Sequence, residues 1–172
     1  YLQRLRELCT KHGILLIFDE VITGFGRTGS PFAAQEFGVT PDIITCAKGL
    51  TNGAVPMGGV IVKKEIYEAF MSGPDAAVEL FHGYTYSSHP VACAAALATL
   101  DIYAREGLLT RAKELSKYWE DAIHSLRDCP IVTDIRSVGL MAAVDVAMDG
   151  APGARGHEAQ KRLYDAGPNL KS

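Results

Sequence analysis

The sequence predicts an α/β fold built around a mainly parallel sheet. Two short apolar runs lie at residues 14–18 and 42–47. The first contains no alternating polar residues, which is typical of a parallel strand that is covered on both faces. Segments with a helical spacing of apolar residues lie before and between these runs. Because strands that alternate with helices form crossover units, we expect the two runs to be neighbours in one sheet.

In the first half of the chain, a helix is predicted to precede the first strand. Leu2, Leu5 and Leu8 recur at helical spacing, and Gly13 can end that helix in a left-handed conformation. Residues 23–31 are rich in glycine and are predicted to form an ordered loop. The other elements expected here are short helices at 32–37 and 64–70 and a third strand at 59–62.

In the second half, two longer helices are predicted. Ser88 can cap a helix with Pro90 near its first turn, Gly107 interrupts the helical pattern, and Pro130 ends it. The remaining predicted elements are two strands within residues 131–146 and a last helix at 156–166.

Composition and charge exclude several classes of partner. The 172 residues carry a net charge of −3 and are 48% hydrophobic, so we expect a globular protein without a basic face for nucleic acid or anionic lipid. No apolar span of 18 residues is present, which predicts no membrane partner. The four cysteines are far apart and form no CxxC motif, so we expect reduced thiols and a cytoplasmic location.

Two residues that carry chemistry follow the two predicted strands. Asp19 follows the first strand and Lys48 follows the second, and the carboxyl ends of parallel strands form the edge where such sheets bind ligands. A partly desolvated lysine amine is a nucleophile towards an aldehyde. A carboxylate nearby can keep a pyridine nitrogen protonated. The pair therefore predicts Schiff-base chemistry, while a solvated Lys48 and a helix-capping Asp19 form the structural alternative.

Two nucleotide-binding patterns compete for the same segments. The first strand with Asp19 has the form of a Walker B strand, but this chain contains no G-x-x-x-x-G-K-[ST] loop. Gly24, Gly26 and Gly29 fit the dinucleotide pattern by letter. However, they neither end a strand nor open a helix, which that pattern requires.

The segment before the Pro90 helix contains polar residues with several possible roles. His82 and His89 have no acidic partner at metal-ligand spacing, so we expect capping or packing and no metal site. Thr85 can donate a hydrogen bond to a phosphate oxygen, although loop hydroxyls more often satisfy the backbone.

Taken together, these motifs resemble the cofactor site of class III aminotransferases, which depend on pyridoxal phosphate. The similarity lies in LIFDEV, GFGRTG, PDII and AKGLTNG at residues 16–21, 24–29, 41–44 and 47–53. The segment HGYTYSSHPVACAA at residues 82–95 resembles the branch that uses ω-amino acids and pyruvate. An ω-amino acid or amine is the implied amino donor, and pyruvate is the implied acceptor.

The resemblance implies a role for each site residue. Lys48 holds the cofactor as a Schiff base and moves the proton at the reacting carbon. Asp19 pairs with the pyridinium nitrogen, and Val21 packs on the ring. Thr85 binds the cofactor phosphate in the neighbouring subunit, which implies a homodimer or a higher homo-oligomer with shared active sites.

The resemblance also implies a fold and a domain division. Residues 1–105 would form part of the large sheet domain of a fold-type I transferase, and 106–130 an interdomain helix. Residues 131–172 would begin a small α+β domain. The family's upstream phosphate-binding turn and its C-terminal arginine have no counterpart in the chain, and Pro168 departs from the pattern. We therefore expect a fragment, and a catalytically incomplete fragment is the alternative to an active enzyme.

Overall fold

The computed structural model describes residues 1–74, 82 and 85–167. It divides into two compact units, Tyr1–Glu114 and Leu115–Ser172. The helices are α1 (Leu2–His12), α2 (Ala33–Glu36), α3 (Lys64–Met71), α4 (Pro90–Arg105), α5 (Leu108–His124) and α6 (Ala154–Ala166). The strands are β1 (Ile17–Asp19), β2 (Ile43–Cys46), β3 (Gly59–Val62), β4 (Val132–Val138) and β5 (Met141–Val146).

The sheet of the first unit has the order β1-β2-β3. Strands β1 and β2 are parallel, with Asp19 opposite Thr45, so the predicted neighbours are confirmed. Strand β3 runs antiparallel to β2. The connection from β2 to β3 contains a short 3-10 turn, Lys48–Leu50, in place of a crossover helix, and a parallel partner would need such a crossover.

Local signals for helix ends were read correctly in one place and incorrectly in another. Gly13 ends α1 with φ 66°, and its amide bonds back to the Cys9 and Thr10 carbonyls, as predicted. Helix α4 instead takes His89 as its N-cap residue, without a side-chain hydrogen bond. Ser88 has φ 59°, so it forms the turn before the cap and the prediction that it caps α4 is wrong.

The apolar run before Asp19 is less buried than its composition predicts. Ile14, Leu15 and Ile17 are 57%, 56% and 55% exposed, whereas Leu16 is buried. Strand β1 is an edge strand of the described sheet, and that sheet does not bury these side chains. Coverage on both faces is therefore not found for β1 in the part of the chain described.

A buried acidic residue connects the elements of the first unit. Asp42 Oδ2 accepts hydrogen bonds from the Leu16 amide at 2.7 Å and from the Arg6 guanidinium at 2.6 Å. Its Oδ1 accepts one from Lys63 Nζ at 2.7 Å. Burial acts to raise the pKa of Asp42, but these hydrogen bonds and the charge of Arg6 outweigh it and hold that pKa well below its ordinary value. One carboxylate thus joins α1, the start of β1 and the end of β3.

The second unit contains an antiparallel pair of strands, β4 and β5. Gly139, at φ 58°, lies in the tight turn between them, and the two predicted strands are confirmed. Arg136 pairs across the strands with Asp145 and along its own strand with Asp134. Helix α6 follows. The division between the units falls within α5, and the predicted domain limits near residues 105 and 131 stay a prediction.

The cysteines form no disulfide bond in the part of the chain that the structure describes. Cys9, Cys46, Cys93 and Cys129 are all free thiols; Cys46 is buried and Cys129 is exposed. Within the described ranges, none of the helices is long and apolar enough to cross a membrane.

We predict that Asp42→Asn destabilises the first unit by about 3 kcal/mol at neutral pH, because it leaves partly buried cations without their carboxylate. The folded pKa of Asp42 is lowered, so its contribution is complete above the unfolded value of about pH 4 and is lost as the pH falls below it. Denaturant unfolding at several pH values should show the difference between the two proteins shrinking on acidification. The exposed control Asp121→Asn should change the unfolding free energy little. An equal effect of the two substitutions would contradict the role of Asp42.

Candidate active site

The first residue of the site stands at the carboxyl end of β1. Asp19 Oδ1 accepts hydrogen bonds from the Val21 amide and from Thr45 Oγ1, each at 3.1 Å. These contacts orient the carboxylate along the edge of the sheet. Among the described residues, Oδ2 receives no hydrogen bond, and the side chain is exposed. Asp19 therefore keeps one oxygen available for a ligand.

The second residue stands just beyond β2. Because Asp19 lies opposite Thr45, Lys48 follows three residues after the position that faces the carboxylate. Its amine makes neither a hydrogen bond nor an ion pair with any residue in the described part of the chain. Lys48 is exposed, so the described residues do not provide the desolvation expected from the sequence.

The backbone of Lys48 is unusual. Its φ is 44°, in the left-handed region that side chains other than glycine occupy at a cost of about 1–2 kcal/mol. Non-glycine residues held in such a conformation occur preferentially at functional sites. The same residue begins the 3-10 turn Lys48–Leu50, so the turn determines where the amine is presented.

The other two predicted site residues differ in how they relate to this edge. Val21 is half-buried and follows directly after Asp19 and Glu20, so it belongs to the same edge. Thr85 lies in a separate, exposed turn at 85–88 that leads to α4. Gly83 and Tyr84, which belong to the same predicted motif, and the predicted departure at Pro168 lie outside the described residues.

Sequence reasoning missed the role of Glu20, which is only 1% exposed. Its Oε2 accepts hydrogen bonds from Thr23 Oγ1 at 2.6 Å and from the Ala33 amide at 2.8 Å, and its Oε1 accepts one from the Ala34 amide at 2.7 Å. Glu20 thus ties the end of β1 to the start of α2. The signal available was an acid at a strand end with a hydroxyl three residues later.

The glycine-rich loop forms a closed turn between these anchors. The Phe25 amide bonds to the Pro31 carbonyl at 2.6 Å, and the Gly29 amide bonds to the Gly26 carbonyl at 3.0 Å. A Cβ at Gly24 would lie 2.8 Å from the Glu20 carbonyl oxygen, so only glycine fits there. Since the loop does not lead directly from a strand into a helix, the dinucleotide-binding alternative is not supported.

An acid and a lysine at the carboxyl edge of two parallel strands, joined by a closed glycine loop, fit the class of pyridoxal-phosphate transferases that the sequence motifs resemble. The comparison with protein families agrees: the chain belongs to the aminotransferase class-III family, whose model matches residues 1–170. The match includes the strand with the Walker B form, so the nucleoside triphosphatase alternative is not supported.

Particular relatives show where in the family the similarity is high. The chain is 58% identical to an omega-aminotransferase of Caulobacter vibrioides and 55% identical to a beta-alanine–pyruvate aminotransferase of Pseudomonas aeruginosa, each over 97% of this chain and 38% of the relative. An omega transaminase from Pseudomonas jessenii, solved in complex with PMP, matches with a TM-score of 0.91 at 35% identity. That match covers 97% of this chain and 38% of the solved one. The chain therefore spans well under half the length of these relatives.

We predict that Glu20→Gln loosens the loop, because an amide has one acceptor oxygen where the carboxylate has two. At least one of the buried donors then loses its partner, at a cost of about 2 kcal/mol. Trypsin should cleave faster after Arg27, which is exposed within the loop. The matched substitution Glu7→Gln, at an exposed ion pair, should leave the cleavage rate unchanged. Equal cleavage of Glu20→Gln and the unsubstituted protein would show that Glu20 does not hold the loop.

Proposed function

We propose that this chain supplies the lysine and the carboxylate of a pyridoxal-phosphate site. The reaction proposed is the transfer of an amino group from an ω-amino acid or amine to pyruvate. The observation that carries this proposal is the parallel pairing of β1 and β2, which brings Asp19 and the Lys48 turn to one edge of the sheet. The family of the chain and the activities for which its relatives are named support the same reaction.

The chemical groups at this edge suit the proposed cofactor. Asp19 offers a carboxylate oxygen that the described residues leave without a hydrogen bond, which suits a protonated ring nitrogen. Lys48 offers an amine without a partner in the same ranges, which suits an aldehyde. Val21 offers an apolar, half-buried surface next to Asp19, which suits the face of an aromatic ring.

The residues of the chain have distinct tasks in the proposed reaction. When bound, pyridoxal phosphate supplies an electron-accepting ring for the charge left by a departing α-proton. Lys48 Nζ holds the cofactor and, when released from it, accepts and returns the proton at the substrate carbon. Asp19 keeps the ring nitrogen protonated, and the bonds from Thr45 and Val21 keep its carboxylate oriented.

The phosphate end of the cofactor is assigned to a different segment. We infer that Thr85 donates its hydroxyl to a phosphate oxygen in the neighbouring subunit of a homodimer or a higher homo-oligomer. The exposure of Thr85, in a turn that precedes α4, supports a contact with a second subunit.

A second candidate is a chain that bonds the cofactor but does not catalyse transamination by itself. It is favoured by the share of each relative that the chain covers, 38%, and by the exposure of Lys48. Both candidates use the same lysine, and they differ only in turnover.

We predict that pyridoxal phosphate followed by borohydride labels Lys48, and that peptide mapping finds the label there in preference to the exposed Lys64. The purified protein should also convert an ω-amino acid and pyruvate to alanine. Lys48→Ala should abolish the label and lower turnover by about 10²- to 10⁴-fold, the contribution of a positioned acid-base group.

The control for this experiment is Lys64→Ala, which should change neither result. Label at Lys48 without turnover supports the second candidate. An absence of label at Lys48 in the unsubstituted protein would overturn the assignment of the cofactor site.

We predict that Thr85→Val weakens the binding of pyridoxal phosphate by about 10- to 100-fold, because one hydrogen bond to a charged group is lost. It should leave the binding of pyridoxal, which has no phosphate, unchanged. Equilibrium titration by absorbance measures both affinities. The exposed substitution Thr133→Val in β4 serves as the control. An equal loss of affinity for the two compounds would contradict a phosphate contact by Thr85.

A further inference from the structure

The turn that carries Lys48 is held by contacts from two distant segments of the first unit. Lys48 has φ 44°, a conformation that persists in side chains other than glycine only when surrounding contacts enforce it. The next residue, Gly49, receives those contacts. Because Gly49 is bonded to Lys48, side chains that restrict Gly49 also restrict the backbone of Lys48.

The first contact comes from α4. Tyr103 donates its hydroxyl to the Gly49 carbonyl oxygen at 2.7 Å. Burial raises the pKa of the Tyr103 phenol, and the charge of Arg27 opposes this only in part. The phenol therefore stays protonated near neutral pH and remains a hydrogen-bond donor.

The second contact comes from the glycine-rich loop. Phe25 packs so closely on Gly49 that a Cβ at position 49 would lie 2.6 Å from Phe25 Cβ and 2.8 Å from its ring. The Phe25 ring lies 5.3 Å from the Phe32 ring and 6.0 Å from the Tyr103 ring, measured between centroids. Phe25 itself has φ 59°, so its backbone is also held in a conformation that is rare for a bulky residue.

We propose that Phe25 and Tyr103 are positioning residues for Lys48, which fix the Lys48–Gly49 backbone so that the amine is presented at the same edge as Asp19. This inference rests on the proposed function, since it takes Lys48 as the lysine that bonds pyridoxal phosphate. Both aromatic residues contact Gly49, the neighbour of Lys48. They act by restricting the backbone of the turn, which reduces the ordering required when Lys48 reacts.

The positions of the two contacts explain why they complement each other. The hydrogen bond from Tyr103 fixes the direction of the Gly49 carbonyl. Phe25 packs against the Gly49 Cα so closely that only glycine fits at this position. Loss of either contact leaves the turn free to leave the left-handed conformation. The amine of Lys48 would then spend less time at the edge of the sheet, although the sheet itself would remain folded.

The test measures the reactivity of Lys48 in the complete purified chain. Pyridoxal phosphate is added for increasing times, borohydride stops the reaction, and peptide mapping gives the ratio of label at Lys48 to label at Lys64. Tyr103→Phe, which removes only the hydroxyl, should lower that ratio by about 2- to 10-fold. The midpoint of thermal unfolding, measured in parallel, should change little. Tyr67→Phe, an exposed tyrosine in α3, is the matched control and should behave like the unsubstituted protein.

A double-substitution cycle tests the contact with Phe25 and keeps the proposal testable if Tyr103→Phe fails to fold. Gly49→Ala alone should lower the labelling of Lys48 strongly, because the new methyl group meets Phe25. Phe25→Gly removes the three atoms nearest to the new methyl group, so in that background Gly49→Ala should cause less further loss. Such non-additivity is the signature of two residues in direct contact.

The outcomes separate the two proposals. If the unsubstituted protein shows no label at Lys48, the proposed cofactor site fails and the positioning role fails with it. If that protein is labelled while folded Tyr103→Phe is labelled equally fast and the Gly49 and Phe25 substitutions act additively, only the positioning role is overturned. A lower ratio for Tyr103→Phe or a non-additive cycle, with the sheet still folded, supports it.

Discussion

The parallel register of β1 and β2 is the constraint on which the candidate site depends, and Asp42 enforces it. The Asp42 carboxylate accepts a hydrogen bond from the Leu16 amide, and the Asp42 amide donates a hydrogen bond to the Leu16 carbonyl oxygen at 2.8 Å. The two residues are therefore bonded in both directions at the start of the strands. A slip of one residue would turn every side chain of β1 to the other face. Asp19 would then lose Thr45 as its partner, and the Lys48 turn would no longer follow at the same edge.

The glycine-rich loop makes this edge rigid from the other side. Glu20 holds its beginning and the start of α2 through three hydrogen bonds, while Phe25 within the loop packs on Gly49. One loop thus joins the end of β1 to the turn after β2. Its glycines are required for close backbone approach and for a closed turn, and the loop gives structural support to the two residues that carry the chemistry.

Those parts of the fold that depend on short-range patterns could be predicted from the sequence. The two apolar runs predicted β1 and β2, and the acid and the lysine at the ends of these strands pointed to Asp19 and Lys48. The loop before β3 was predicted, but no direction was predicted for β3, which runs antiparallel to β2. Phe25 and Tyr103 were missed because each acts through Gly49, which is far away from them in the chain. Glu20 was missed although its hydroxyl partner Thr23 lies only three residues later. Ile14, Leu15 and Ile17 are exposed although they are apolar. An apolar sequence shows which side chains a strand can bury, but it does not show which elements cover them.

The exposure of Lys48 also limits what the β1–β2 edge can do alone. An amine acts as a nucleophile near neutral pH when its protonated form is disfavoured by a dry or positively charged environment. The described residues place Lys48 in contact with solvent. The proposed reaction therefore requires further walls around this edge. On this view, the strands determine where the amine and the carboxylate stand, and the surfaces that close over them determine how readily the amine reacts.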